Sequence, residues 1–190
     1  MEVFMKRMLT IAAISLVAIT GWARPNFDIT VLQVKVAQVQ ALQLLNWEVG
    51  QENEHNISLM GMTGTMHSVV TQETDVGYWL TQDVSVGGMD QKMEIHFNKD
   101  DASIIEMKVN GKKQDPPAAP NVEVEEMKDD KVTVPAGAFD CMFVQIRNVD
   151  NDERTKLWVN QQLIPIDGML KMETKTQGMD VSVELVRFKK

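Results

Sequence analysis

The chain of 190 residues has one cysteine, one tyrosine and no cluster of basic residues; Lys112-Lys113 and Lys189-Lys190 are only pairs. Cys141 cannot close an internal disulfide by itself, even in a compartment that permits one. It lies in the apolar, strand-like run 139–144, where nothing nearby would lower its pKa, so it reads as an inert buried thiol and not as a nucleophile. A formal net charge of −8 excludes nucleic acid, and charge-driven binding to anionic head groups, as expected partners. The chain has no phosphate-binding Gly-Lys-Ser/Thr loop, no Gly-x-Ser-x-Gly elbow and no His-Glu-x-x-His helix. Its three histidines, His55, His67 and His96, fall on separate segments without zinc-site spacing. His55, between Glu54 and Asn56 and close to Glu52, reads as part of a solvated turn. Asp150 to Glu153 begins like a calcium loop but lacks its central Gly and terminal Glu, so it reads as a polar hairpin tip. Asp100-Asp101 and Asp129-Asp130 read as turn carboxylates. The expectation is a non-enzyme with neither metal nor cofactor.

What is present begins with an export signal at residues 1–23. Lys6 and Arg7 precede an uncharged apolar stretch from Met8 to Ile19, and Gly21-Trp22-Ala23 places small residues before Arg24-Pro25. The apolar run is shorter than the roughly 20 residues that span a bilayer. Glu2 ahead of the basic pair leaves Met5 as an alternative start to Met1. No cysteine follows the apolar stretch, so the lipobox of an anchored lipoprotein is missing. The expected address is the periplasm of a Gram-negative envelope, with no membrane span after cleavage and one domain over 24–190.

Within that domain, Phe27 to Trp47 is a long stretch free of Gly and Pro. Val36, Val39, Leu42 and Leu45 recur at helical spacing, which predicts a helix over about 30–46. Beyond Gly50, short β-forming runs alternate with turn clusters over about 54–188, as in an all-β sandwich or barrel. Met89 to Asn98 alternates cleanly, with Met93, Ile95 and Phe97 on one side and Lys92, Glu94 and His96 on the other. Gly87-Gly88 and Asn110-Gly111 mark hairpins. The Lys128-Asp-Asp130 cluster predicts a turn between strands 122–127 and 131–134, and Pro135-Ala-Gly137 a bend or bulge. The predicted fold class is mainly β (α+β): a curved antiparallel sheet or half-open β-barrel of about ten strands, wrapped around one N-terminal helix.

Methionine is over-represented, with 14 residues. Flexible, polarizable thioethers serve as ordinary gap-fillers in a core, and they also accommodate varied apolar ligands. The candidate ligand-binding residues are Met60, Met62, Met66, Trp79, Met93, Met107, Met142 and Trp158. Trp47, Trp79, Trp158 and Tyr78 equally suit positions that close a core where the polar edge reaches a partner.

Three C-terminal stretches carry a family resemblance: Val132-Thr-Val-Pro-Ala-Gly-Ala-Phe-Asp140, Leu157-Trp-Val-Asn160, and Ile164-Pro-Ile-Asp-Gly-Met-Leu-Lys-Met-Glu173. With Trp47-Glu-Val-Gly50 ahead of the first strand, they resemble periplasmic proteins of the DUF3108 type. In predicted fold they are also similar to the lipoprotein carriers LolA and LolB. That resemblance implies a half-open barrel holding acyl chains against an internal helix. It carries over no lipid-contact residue. The function expected is binding of a hydrophobic small molecule or lipid, in envelope lipid or lipoprotein handling. The alternative is a non-catalytic module docking onto another envelope protein through a sheet edge.

Overall fold

The computed structural model describes residues 45–59, 61–116, 121–176 and 178–190. The expected signal peptide and the expected helix, up to residue 44, lie outside the described residues. The described chain forms eleven strands: β1 (Glu52–Leu59), β2 (Met62–Glu73), β3 (Gly77–Val86), β4 (Met89–Asn98), β5 (Ile104–Val109), β6 (Lys112–Gln114), β7 (Val122–Val134), β8 (Gly137–Asn148), β9 (Arg154–Val159), β10 (Met169–Thr176) and β11 (Met179–Lys189).

All belong to one antiparallel sheet, in the order β6-β5-β4-β3-β2-β1-β11-β10-β9-β8-β7. The chain thus pairs its first and last strands in the middle of the sheet and leaves β6 and β7 as opposite edges. Those edges are consecutive in the chain. Eight peptide steps from Gln114 to Val122 reach at most about 30 Å. Ten inter-strand gaps at ~4.8 Å would hold the edges of a flat sheet about 48 Å apart. The sheet is therefore strongly curved, yet open, since β6 and β7 do not pair.

Local chemistry explains the elements. Asn110 and Gly111 take φ of 50° and 75°, and Gly87 and Gly88 take 59° and 80°, positive at both central positions as tight hairpins require. Asn98, Asn148 and Asn160 accept backbone N–H groups at their own turns, from Asp100, Asp150 and Leu163. Gly64 on β2 is needed for closeness: a Cβ there would lie 2.2 Å from the Ser85 carbonyl oxygen and 2.6 Å from Val86 Cβ.

Register assigns each residue a face. Ile57, Leu59, Met66, Val84, Leu157, Met172, Val181 and Val183 form one buried cluster on the inner face. Trp47, Val70, Tyr78, Leu80, Met93, Ile95, Phe97 and Met107 form a second on the same face. A third cluster, with Val134, Ile164, Leu170 and Leu185, sits where the β7–β8 turn meets β11 and Ala136 N–H bonds the Leu185 carbonyl at 3.0 Å.

Two expectations need correction. Lys128-Asp129-Asp130 is no turn: it pairs with Phe143, Met142 and Cys141 within one continuous 13-residue strand. These charged residues suit an edge strand, whose outer side has no neighbouring strand to accommodate. Pro135 and Ala136 accordingly form the β7–β8 hairpin turn, with Gly137 opening β8 opposite Val134, and not a bulge within a strand.

Candidate functional site

The two large inner-face clusters are separated by polar side chains. Asn53 on β1 lies opposite Ser68 on β2, which lies opposite Gln82 on β3; all three are fully buried. His55, also fully buried, is the next inward-facing residue along β1. This corrects the solvated-turn reading of His55. The apolar residues Ile57 and Leu59 set the inward parity of β1, and carrying it back two and four residues puts His55 and Asn53 inside.

The loop 163–168 packs onto this seam. Ile164, Ile166 and Asp167 are buried, and Trp47 Nε1 donates to the Ile166 carbonyl at 2.8 Å. Asp167 N–H donates to the Pro165 carbonyl at 2.9 Å around Ile166, whose φ is 65°. This γ-turn holds a β-branched residue at positive φ, a conformation that costs on the order of 1–3 kcal/mol. Surrounding bonds hold the strained turn in place. Asn53 Nδ2 donates to the Pro165 carbonyl at 2.8 Å and to Asp167 Oδ1 at 3.0 Å, and Met169 N–H donates to the same Oδ1 at 2.9 Å. His55 Nε2 lies 3.1 Å from the Met169 carbonyl, which only accepts, so Nε2 carries the proton.

Several acceptors in the seam are left over. His55 Nδ1, Asn53 Oδ1 and Gln51 Oε1 are buried with no hydrogen-bond partner. An unmet buried polar atom costs about 1–3 kcal/mol, so a run of them beside a strained loop is a candidate seat for hydrogen-bond donors.

The structure distributes the sequence-predicted ligand residues over three settings. Met66, Met93 and Met107 are buried on the inner face, joined by Met169 and Met172. Met62 and Met142 share that face by register but stand partly exposed. Trp79 and Trp158 face the other way. Trp79 stacks on His96 with centroids 4.8 Å apart, under the Lys108 ammonium, while Trp158 donates to Asp130 Oδ2 at 3.0 Å and packs against Phe143. Met60 lies outside the described residues. Burial lowers the pKa of His96, outweighing the opposing pull of Glu106. Burial also raises the pKa of the Cys141 thiol, with Asp130 and Asp140 adding to the effect. The residues missed in the sequence, Asn53, His55 and Asp167, had one legible signal: two of them are polar residues at the apolar parity of β1.

A second concavity lies between the β1–β2 and β3–β4 ends, with a volume of about 560 Å³ and a lining that includes Asn56, Ser58, Thr63, Thr65, Ser85 and Glu184. Its hydroxyls are shallow and open, and no buried polar atom without a partner lies among them. Among the described residues no group of three or more His, Cys, Asp or Glu side chains is placed to hold a metal ion, and no helix is long and apolar enough to cross a membrane.

No protein-family model matches the chain, and no curated protein matches it in sequence. Among solved structures, the chain is similar to a candidate exported protein with a YmcC-like fold from Bacteroides fragilis, at 14% identity and a TM-score of 0.41, over 77% of this chain and 99% of that one. A candidate lipoprotein from Parabacteroides distasonis gives 14% identity and a TM-score of 0.40, over 77% and 98%. MucB gives 7% identity and a TM-score of 0.43, over 86% of this chain and 59% of MucB. These scores lie below the level at which a shared fold or function follows, so the site stands on its own geometry.

Proposed function

We propose that this is a non-catalytic, exported envelope protein that binds a hydrophobic ligand, a lipid or acyl chain, on the inner face of its curved sheet. The observation that carries this reading is the set of buried thioethers, Met66, Met169 and Met172 in one inner-face cluster and Met93 and Met107 in the other, on the face of a sheet that is curved but not closed. Thioethers adapt to irregular apolar shapes at little conformational cost. Leu45 and Trp47 are buried in the second cluster, on the same face. The export signal at 1–23 would put the site in the periplasm.

The test is uptake by delipidated mature protein. A saturable rise in the emission of a fluorescent fatty-acid analogue, with lipid recovered in organic extracts of the undelipidated protein, is the expected result. Neither uptake nor co-purifying lipid would overturn the reading.

One observation favours a second reading, docking onto another envelope protein. β7 is a long edge strand with Val124 and Met127 exposed on it, and such an edge can accept a partner strand. A photo-crosslinker at Met127 that yields one discrete periplasmic adduct, with no lipid bound, would favour it.

A further inference from the structure

We propose that the inner-face ligand carries an uncharged hydrogen-bond-donating head, a hydroxyl or amide N–H, and that the acceptor row along β1 receives it. This rests on the inner-face binding reading above and narrows its ligand class.

Gln51, Asn53 and His55 recur at every second residue, so their side chains share one face at intervals of about 7 Å. Each presents a buried acceptor without a partner: Oε1, Oδ1 and Nδ1. The chemical sense of the last two is fixed by their bonded neighbours. Turning the Asn53 amide over would set its oxygen against the Pro165 carbonyl and Asp167 Oδ1, two acceptors, so Nδ2 must face them and Oδ1 must face away. His55 Nε2 donates its N–H to the Met169 carbonyl, and an imidazole with its one N–H placed there has a lone pair at Nδ1.

Asp167 adds two more lone pairs at Oδ1 that are already engaged by Asn53 and by Met169 N–H. The buried atoms left without partners on Asn53 and His55 are thus both acceptors. A carboxylate or phosphate head would meet acceptors at Asn53 and His55, with the Asp167 carboxyl group close by. A glyceryl or amide head would supply the protons that Asn53 Oδ1 and His55 Nδ1 lack. The apolar flanks on either side, Ile57 and Met66 in one direction and Val70 and Leu80 in the other, offer the chain a dry track from that head.

The test compares four ligands sharing one twelve-carbon chain: the monoacylglycerol, the primary amide, the methyl ester and the carboxylate. Each displaces N-phenyl-1-naphthylamine from delipidated protein at pH 8. The monoacylglycerol and the amide should bind about tenfold tighter or better than the ester and the carboxylate. Asn53→Leu with His55→Phe should bring all four to parity. Equal binding of all four to the wild type overturns the head-group assignment and leaves inner-face binding standing. Displacement by none overturns both.

Should the double variant fail to fold, ¹⁵N-imidazole spectra of the wild type decide. The His55 Nδ1 resonance should move upfield with the monoacylglycerol and stay put with the methyl ester. A resonance that is already in the hydrogen-bonded range without ligand, and indifferent to all four, would mean that ordered water fills the seat, and would overturn the proposal.

Discussion

Phe97 on β4 and Met127 on β7 face the same side of one sheet, yet Phe97 is fully buried and Met127 is 42% exposed. Both sit in strands of ten or more residues with clear registers. What differs is cover. Phe97 has Trp47 edge-on at 5.4 Å and the 163–168 loop packed into the same cluster. Met127 lies on the edge strand, whose inner face carries no such lid among the described residues. Alternation therefore assigns a residue to a face, while burial depends on what the rest of the chain lays over it. The charges along β7 fit the same picture: Glu126 pairs with Lys128 at 2.8 Å and Lys131 with Asp140 at 2.9 Å, both at the surface. Exposed pairs of this kind add little stability. They disfavour indiscriminate pairing of an open edge with other strands.

The contrast can be broken by substitution, and the largest effect should come from its buried pole. Phe97→Ala should cost about 3–5 kcal/mol in urea denaturation, as deletion of a fully buried ring does. A loss below about 1 kcal/mol would mean that the cover over β4 is absent in solution. Gly64→Ala comes next. The added methyl must displace the Ser85 carbonyl or Val86, so a loss of about 1–3 kcal/mol is expected by the same measurement.

A smaller, pH-dependent effect is expected at His96, where burial against Trp79 depresses the imidazole pKa below 6.5. The folded state binds the proton more weakly than the unfolded chain. Its stabilising share is therefore complete above pH 6.5 and is lost as pH falls through that value toward the depressed pKa. Comparing denaturation midpoints at pH 8 and pH 5.5, wild type should lose more on acidification than His96→Gln. An equal loss would place the sensitivity elsewhere. Smallest of all, Met127→Ala should change stability by no more than about 0.5 kcal/mol, as surface changes do. A larger loss in dilute protein would show that β7 is covered after all.

Much of this architecture could be read from the residues. The alternation from Met93 to Phe97 gave the correct inner side of β4, and Asn110-Gly111 and Gly87-Gly88 marked hairpins that the φ angles bear out. Hairpins are legible because their determinants lie within a few residues. The Lys128-Asp-Asp130 cluster does not split β7 because charge alone does not mark a turn, and an edge strand accommodates charged side chains. The β1–β11 pairing carries no local signature at all. The polar seam was half legible: the parity of Asn53 and His55 stood in the sequence, but Asp167 joins them only through the fold. The tryptophans were chosen by type and not by parity, and register puts Trp79 and Trp158 on the face away from the buried methionines.

The central position of the β1–β11 pair also sets a timetable. Glu54 and Arg187, which bond across it, are 133 positions apart. A chain made or threaded from its amino end must hold β1 to β6 ready while everything up to β11 arrives. Until then the sheet exists as two separate ladders, β1 to β6 and β7 to β10, each with a raw edge where the other belongs. Pairings this distant in sequence are slow to form. Assembly is thus expected to finish only once the carboxyl end is free, and loss of that single strand would leave two incomplete halves where there had been one sheet.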